Sequence, residues 1–285
     1  MKHLLLIGHG YVAAHLTRLA LATGWAVTGT TRSDPARVAA SGATPLVWDG
    51  RDPGPLREAV ARADAILSSV APVAGTDPVA ALLDGVSCRW AGYLSSTAVY
   101  GDAGGAWVDE DSPTAPTAPR ALARLEAEAA WRGWAEASGT ALHIFRLAAI
   151  YGPHRSPFAR LHAGQARRIV KPGQVFSRIH VVDIARAVMA ALARPHPGAV
   201  WNLADLHPSP PQDVILEAAR LAGLPAPPEE DFATVAPTMP PAARAFYADS
   251  RRIDAARSRR DLGWAPLYPD YRAGLAACLE VEARG

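Results

Sequence analysis

Lysine is nearly missing from this chain. Of 29 basic residues only Lys2 and Lys171 are lysine, and the rest are arginine. Cysteine is equally scarce. Cys88 and Cys278 stand far apart in no metal-ligand pattern, so neither a disulfide framework nor a metal site is expected. A reducing cytoplasm is the natural setting for such a chain. There is no long apolar run. Leu4-Leu5-Leu6-Ile7 leads straight into glycine, too short for a membrane span and without the cleavage site of a signal peptide. A strong charge of one sign is also absent: a net charge of +2 makes no electrostatic case for nucleic acid. What is present is a globular composition, 49% apolar and 20% charged, in 285 residues. That is enough for one large domain, or for a nucleotide domain with a smaller lobe. A soluble, cytoplasmic monomer or homodimer that engages neither membrane nor nucleic acid is expected.

The first half alternates short apolar runs with longer helical patterns. Strands are expected at His3–Ile7, Ala26–Thr31, Thr44–Trp48, Ala65–Ser69, Trp90–Ser95 and Ala141–Leu147. Helices fit between them at Tyr11–Thr23, Pro55–Arg62, Pro78–Val86 and Pro119–Ser138. Strands separated by helices imply right-handed crossovers and a parallel sheet, an α/β doubly wound Rossmann-type fold. Beyond Leu147 the rhythm breaks at Pro153, Pro157, Pro172, Pro195 and Pro197, and a proline-rich stretch runs from Pro208 to Pro241. The expected division is a nucleotide-binding domain from 1–150 and 179–203, and a smaller, discontinuous C-terminal substrate lobe from 151–178 and 204–285. The segment Ile179–Ala193 reads as a strand and helix returning to the first domain.

Gly8-His9-Gly10-Tyr11-Val12-Ala13 follows the first strand and opens the first helix. Gly8 permits a tight turn, Gly10 lets backbone approach a pyrophosphate, and Ala13 allows the helix to pack close to the sheet. The helix N-terminus then offers free N–H groups, including those of Tyr11 and Val12, to phosphate. A dinucleotide cofactor is the expectation. The second strand ends Thr30-Thr31-Arg32-Ser33, without the acidic residue that receives a ribose 2′-OH. Arg32 suits the 2′-phosphate of NADP instead, with NAD as the alternative; an exposed, solvated arginine is the plainer reading. Asp49 ends the third strand and is placed to contact adenine or to serve its own turn. Ser69, at the end of the fourth strand, completes the expected cofactor contacts with Thr31.

Tyr93-Leu94-Ser95-Ser96-Thr97-Ala98-Val99-Tyr100-Gly101 resembles the S-S-x-x-V-Y-G segment of extended short-chain dehydrogenases, the group of sugar-nucleotide epimerases and dehydratases. Arg146…Ile150-Tyr151-Gly152-Pro153, Arg178-Ile179-His180-Val181-Val182-Asp183, Trp201-Asn202-Leu203-Ala204-Asp205 and Leu262-Gly263-Trp264 resemble further landmarks of that group, in order. The resemblance spans nearly the whole chain. It implies a nicotinamide cofactor, hydride transfer, and a small carbonyl, hydroxyl or sugar-nucleotide-like substrate held between the strand ends and the second lobe.

The resemblance also exposes a departure. Such proteins carry Tyr-x-x-x-Lys on the helix after the fifth strand, where tyrosine transfers the proton and lysine lowers its pKa and holds the ribose. Aligned on Glu128, those positions are Arg120 and Arg124, and no Tyr-x-x-x-Lys exists anywhere in the chain. Arginine stays protonated, so Arg120 cannot shuttle protons, though Arg124 still offers charge and a ribose hydrogen bond. Ser96 falls at the Ser/Thr position and can bond a substrate carbonyl or simply its own backbone. Tyr100 and Tyr151 are the remaining phenols near the expected cleft, candidates for a substitute acid or for packing. Thr97, Arg120, Arg155 and Arg178 are candidate substrate contacts. His154 suits solvent, His180 a satisfied buried position, and Trp131 with Trp134 helix packing. Two functions remain open: an atypical NAD(P)-dependent oxidoreductase or epimerase/dehydratase-like enzyme, or a non-catalytic NADP-binding regulatory or interaction protein.

Overall fold

Seven strands form one parallel sheet: β1 (His3–Ile7), β2 (Ala26–Thr31), β3 (Thr44–Val47), β4 (Ala65–Ser68), β5 (Trp90–Ser96), β6 (Ala141–Leu147) and β7 (Gly198–Leu203). The computed structural model describes residues 1–73, 76–194 and 197–284; the expected break at Pro195 lies outside them. Spatial order is β7-β6-β5-β4-β1-β2-β3. The order reverses between β1 and β4, which opens a crevice beyond their C-terminal ends. β1 shows why the sheet is covered on both sides. Leu4 and Leu6 enter one core while Leu5 and Ile7 enter the other, as the two-residue period of a strand requires.

Helices α1 (Tyr11–Ala22), α2 (Pro35–Ala40), α3 (Pro53–Ala61), α4 (Pro119–Ser138) and α5 (Val181–Ala193) connect or flank these strands. Leu16 of α1 and Ile184 and Val188 of α5 fill the first core. Leu56 and Val60 of α3 and Trp131 and Trp134 of α4 fill the second. Local chemistry marks the starts. Asp34 and Asp52 accept from Arg37 N and Gly54 N, both at 2.9 Å, and each is followed by proline at the first helical position. α4 ends at Gly139, in the left-handed region at φ 69°.

Two expectations need correction. Pro78–Val86 is not a helix of that length but one 3₁₀ turn, Ala80–Leu83. Asp77 Oδ1 accepts from Val79 N and Ala80 N, both at 2.8 Å, and Gly85 at φ 72° turns the chain away. The strand expected at Ile179 does not join the large sheet. Arg178–His180 pairs in parallel with Ala149–Tyr151 in a separate two-stranded sheet. The returning strand is β7, while α5 does pack on α1.

A third core holds Tyr151, Phe158, Leu161, Ala218, Tyr271, Leu275 and Cys278, and draws on α6 (Pro211–Leu221) and α7 (Tyr271–Glu282). Asp270 caps α7, its Oδ1 accepting from Arg272 N and Ala273 N at 2.9 Å. Among the described residues no helix is long and apolar enough to cross a membrane.

Candidate functional site

The glycine loop sits at the C-terminal end of β1. Gly8 has φ +84°, and a Cβ there would lie 3.0 Å from Val70 Cγ2 and 3.1 Å from Ser69 Oγ. Its N–H donates to Thr30 Oγ1 at 2.7 Å and its carbonyl accepts from Ser69 Oγ at 2.5 Å. Ser69 therefore buttresses the loop. Gly10 is different: a Cβ there would meet nothing within 4 Å. No side chain caps α1. The first-turn N–H groups of Tyr11, Val12 and Ala13 thus begin beneath open space, the arrangement a pyrophosphate needs. Val12 and Ala13 turn their side chains into the core. The chain fits a dinucleotide at this loop.

At the end of β2, Thr31 Oγ1 accepts from Asp34 N at 3.1 Å. Arg32 is exposed and makes no hydrogen bond or ion pair among the described residues. Asp49 Oδ1 accepts from Arg51 N at 2.7 Å and Asp52 N at 3.1 Å, and these bonds hold its carboxyl below the usual range. One oxygen of Asp49 therefore serves its own turn. His9 was not singled out by sequence. Its buried ring covers Gly29, where any Cβ would collide with it. His9 Nε2 lies 3.0 Å from Thr17 Oγ1 and 3.2 Å from Ser41 Oγ. Both hydroxyls donate elsewhere, to Ala13 O and Val38 O, so Nε2 carries the proton. Burial lowers the His9 pKa, favouring the neutral ring.

The end of β5 faces α4. Arg124 Nη1 donates to Tyr93 Oη at 2.8 Å and to Leu94 O at 3.0 Å. One helical turn on, Glu128 accepts from Ser95 Oγ at 2.6 Å. The face of α4 carrying Arg124 and Glu128 therefore lies against β5, and Arg120, one turn earlier, is exposed and without a protein partner among the described residues. Ser96 Oγ accepts from Ala98 N at 3.2 Å and starts the turn Thr97–Tyr100. Thr97 is buried and donates to Leu147 O at 3.2 Å, which withdraws it from the substrate contact expected of it.

Both candidate phenols are also withdrawn. Tyr100 is 3% exposed, donates to Asn202 Oδ1 at 2.8 Å and lies under the Arg146 guanidinium at 4.9 Å. Burial raises its pKa despite that cation. Tyr151 belongs to the third core, donates to Asp270 O at 3.3 Å and packs on Gly274; burial raises its pKa strongly. Neither is an acid poised near neutrality.

The turn at Pro153 reaches the glycine loop through Tyr11, whose hydroxyl donates to Pro153 O at 2.9 Å. Arg155 is exposed, with its guanidinium 5.8 Å from the centre of the Tyr11 ring. Arg155 and Tyr11 thus come together. Arg178 does not join them. It is buried, and its Nη1 donates to Phe176 O and Ser209 O at 3.1 Å and to Ser209 Oγ at 2.7 Å. Its Nη1 is held by two carbonyls and a hydroxyl in the interior, which makes Arg178 a structural tie in place of the exposed substrate contact expected. His180 is satisfied in the interior, accepting from Val182 N at 3.3 Å, and burial pushes its pKa down to about 4.

Residues 71–204 match the NAD dependent epimerase/dehydratase family. The chain is 47% identical to a functionally unknown conserved protein from Silicibacter pomeroyi DSS, with TM-score 0.91 and 99% of each chain covered. It is 29% identical over 298 residues to protein YeeZ of Escherichia coli K12, covering 95% of this chain and 97% of that one. The UDP-glucose 4-epimerase of Bifidobacterium longum, solved with NAD+ and UDP, superimposes with TM-score 0.80 over 100% of this chain and 99% of that one. At 20% identity that likeness is one of fold.

Proposed function

We propose that this chain, matched over residues 71–204 by the NAD dependent epimerase/dehydratase family, binds a nicotinamide dinucleotide, NADP in preference to NAD, and acts on a small anionic carbonyl or hydroxyl compound. The observation that carries this reading is the open space over Gly10 at the uncapped start of α1. When bound, the nicotinamide supplies a hydride acceptor or donor. The remaining chemistry falls to the chain. Arg32, exposed and free of protein partners among the described residues, pairs the 2′-phosphate. Arg124 supplies fixed positive charge and hydrogen bonds beside the end of β5. Ser96 holds the substrate oxygen. Arg120 and Arg155 bind the anionic portion, which neither can protonate. The proton comes from water or the substrate, since Tyr100 and Tyr151 are spent in the interior.

That burial also favours a second reading, an NADP-binding regulatory protein that has kept the site and abandoned the chemistry. Fluorescence titration with NADPH and NADH, followed by turnover assays with carbonyl and sugar-nucleotide substrates, separates the two. The enzyme reading expects NADPH to bind about tenfold or more tightly than NADH, as a charge-assisted contact of ~1.5–3 kcal/mol implies, and to be consumed. Arg32→Ala erases most of that preference. Equal affinities remove the NADP assignment, and tight binding without turnover supports the regulator.

A further inference from the structure

The hydroxyl that receives Arg124 belongs to a side chain packed on every side. Tyr93 is fully buried on β5. Its ring stacks on Trp131 at 5.7 Å and 23°, and Trp131 meets Trp134 edge-on at 5.4 Å and 86°. The Tyr93 hydroxyl and the Leu94 carbonyl therefore present two fixed oxygens, and Arg124 Nη1 donates to both. The guanidinium also lies 5.5 Å from the Tyr93 ring centre. Guanidinium is planar and rigid, so fixing one nitrogen at two points fixes the plane. Its other two nitrogens, Nη2 and Nε, make no hydrogen bond among the described residues, and the side chain is only half-buried. A lysine could not do this. Its single nitrogen, tied to the same two oxygens, would keep one N–H.

We infer that Tyr93 is a positioning residue for Arg124, turning the unbonded N–H edge of the guanidinium toward the ribose diol of the nicotinamide half of the cofactor. The inference rests on the dinucleotide reading above. It accounts for arginine at this position: one nitrogen is the anchor and the other two are the ligand. Tyr93 itself touches no cofactor.

A double-mutant cycle on the full chain, read as NADPH affinity by fluorescence titration, tests this. Tyr93→Phe keeps the ring stack and removes only the anchor; affinity should fall about three- to tenfold, the worth of one hydrogen bond. Arg124→Ala should lose more, and adding Tyr93→Phe to Arg124→Ala should cost nothing further. A Tyr93 that merely supports the fold would cost the same in both backgrounds, and that result overturns the inference, as does unchanged affinity in Tyr93→Phe. Arg124→Lys provides an independent arm should Tyr93→Phe fold poorly. It is expected to bind at least threefold more weakly than the native protein, and native affinity in Arg124→Lys refutes the anchored fork. If the native protein binds neither NADPH nor NADH, the dinucleotide reading falls and takes this inference with it. Native binding with no coupling removes the inference alone.

Discussion

Glu128 of α4 receives both prongs of Arg146 from β6, Nε to Oε1 at 3.1 Å and Nη2 to Oε2 at 2.8 Å, with both side chains buried. Ser95 Oγ completes the carboxylate from β5, and Arg132 Nη2 reaches it at 3.1 Å from the next turn of the helix. The pair ties α4 to two strands at once. It holds the helix face on which Arg124 and Arg120 lie against the end of β5.

Breaking that pair from one side should be severe. Glu128→Gln leaves a buried guanidinium without its counter-charge, which costs about 3–5 kcal/mol of stability. Burial alone would raise the Glu128 pKa, but the bonds and charge of Arg146 outweigh it and hold it below the usual value. A carboxyl with a depressed folded pKa stabilises the fold above its unfolded value, near 4.3, and loses that contribution as pH falls through the folded value. Denaturant melts of the native protein should therefore weaken below about pH 4, and the loss should be much smaller in Glu128→Gln. Equal acid sensitivity in the two proteins would show that the pair is not a source of it.

Gly10→Val separates binding from folding. The added side chain meets no protein atom within 4 Å of its Cβ, so the thermal midpoint should stay close to native. The same side chain occupies the space a pyrophosphate requires, and NADPH affinity should drop by at least about a hundredfold, beyond the ~2.7 kcal/mol that calorimetry resolves easily. Native affinity in the folded variant would remove the fingerprint from the site.

How much of this was legible in the sequence depends on the reach of each contact. Leu4–Ile7 followed by Gly8 and Gly10 declares a strand, a turn and a phosphate loop within eight residues, because strand period and glycine freedom are local. β7 was visible only as a landmark of the family resemblance, since Gly198–Leu203 follows a proline-punctuated stretch with no local sign of its neighbour β6. The candidate phenols misled for the same reason. Tyr100 is withdrawn by Asn202, 102 residues away, and Tyr151 by Asp270, 119 residues away. Arg178 is captured by Ser209. Tyr93 gave no sign at all, because its role comes from stacking on Trp131 across the helix–sheet interface.

Asp205 should make stability fall toward neutral pH. Burial pushes its carboxyl up to about 7, and among the described residues its Oδ2 has no hydrogen-bond partner while Oδ1 accepts from His207 N at 3.2 Å. In the unfolded chain the group ionises near 3.9. The folded state thus binds the proton more tightly, and the contribution is full below about pH 4, declines to about pH 7 and is flat above. Asp205→Asn retains the neutral form throughout. Relative to the native protein it should gain about 1–3 kcal/mol between pH 5 and pH 8. Parallel melting profiles for the two proteins across that range would contradict the raised pKa.

The last prediction concerns the phenols. An acid that serves a turnover cycle must reach both substrate and solvent, and Tyr100 reaches neither. Its hydroxyl donates to Asn202 Oδ1, and Asn202 is itself held by Glu110 Oε1 at 2.7 Å and by the Asp254 carbonyl at 3.1 Å. Tyr100→Phe leaves the Asn202 oxygen without a donor in the interior, a loss of about 1–3 kcal/mol in stability. Tyr151→Phe gives up a longer bond, 3.3 Å to the Asp270 carbonyl, and should cost about 1 kcal/mol or less. Neither change touches the space over Gly10 or the exposed Arg120, so NADPH affinity and turnover of any reducible substrate should stay within about threefold, less than 1 kcal/mol of activation free energy. The measurement is kcat and KM at a temperature well below both melting midpoints. A fall in kcat of a hundredfold or more in a folded Tyr100→Phe or Tyr151→Phe protein would return that phenol to the chemistry, and would require the interior around Asn202 or Gly274 to open during the cycle.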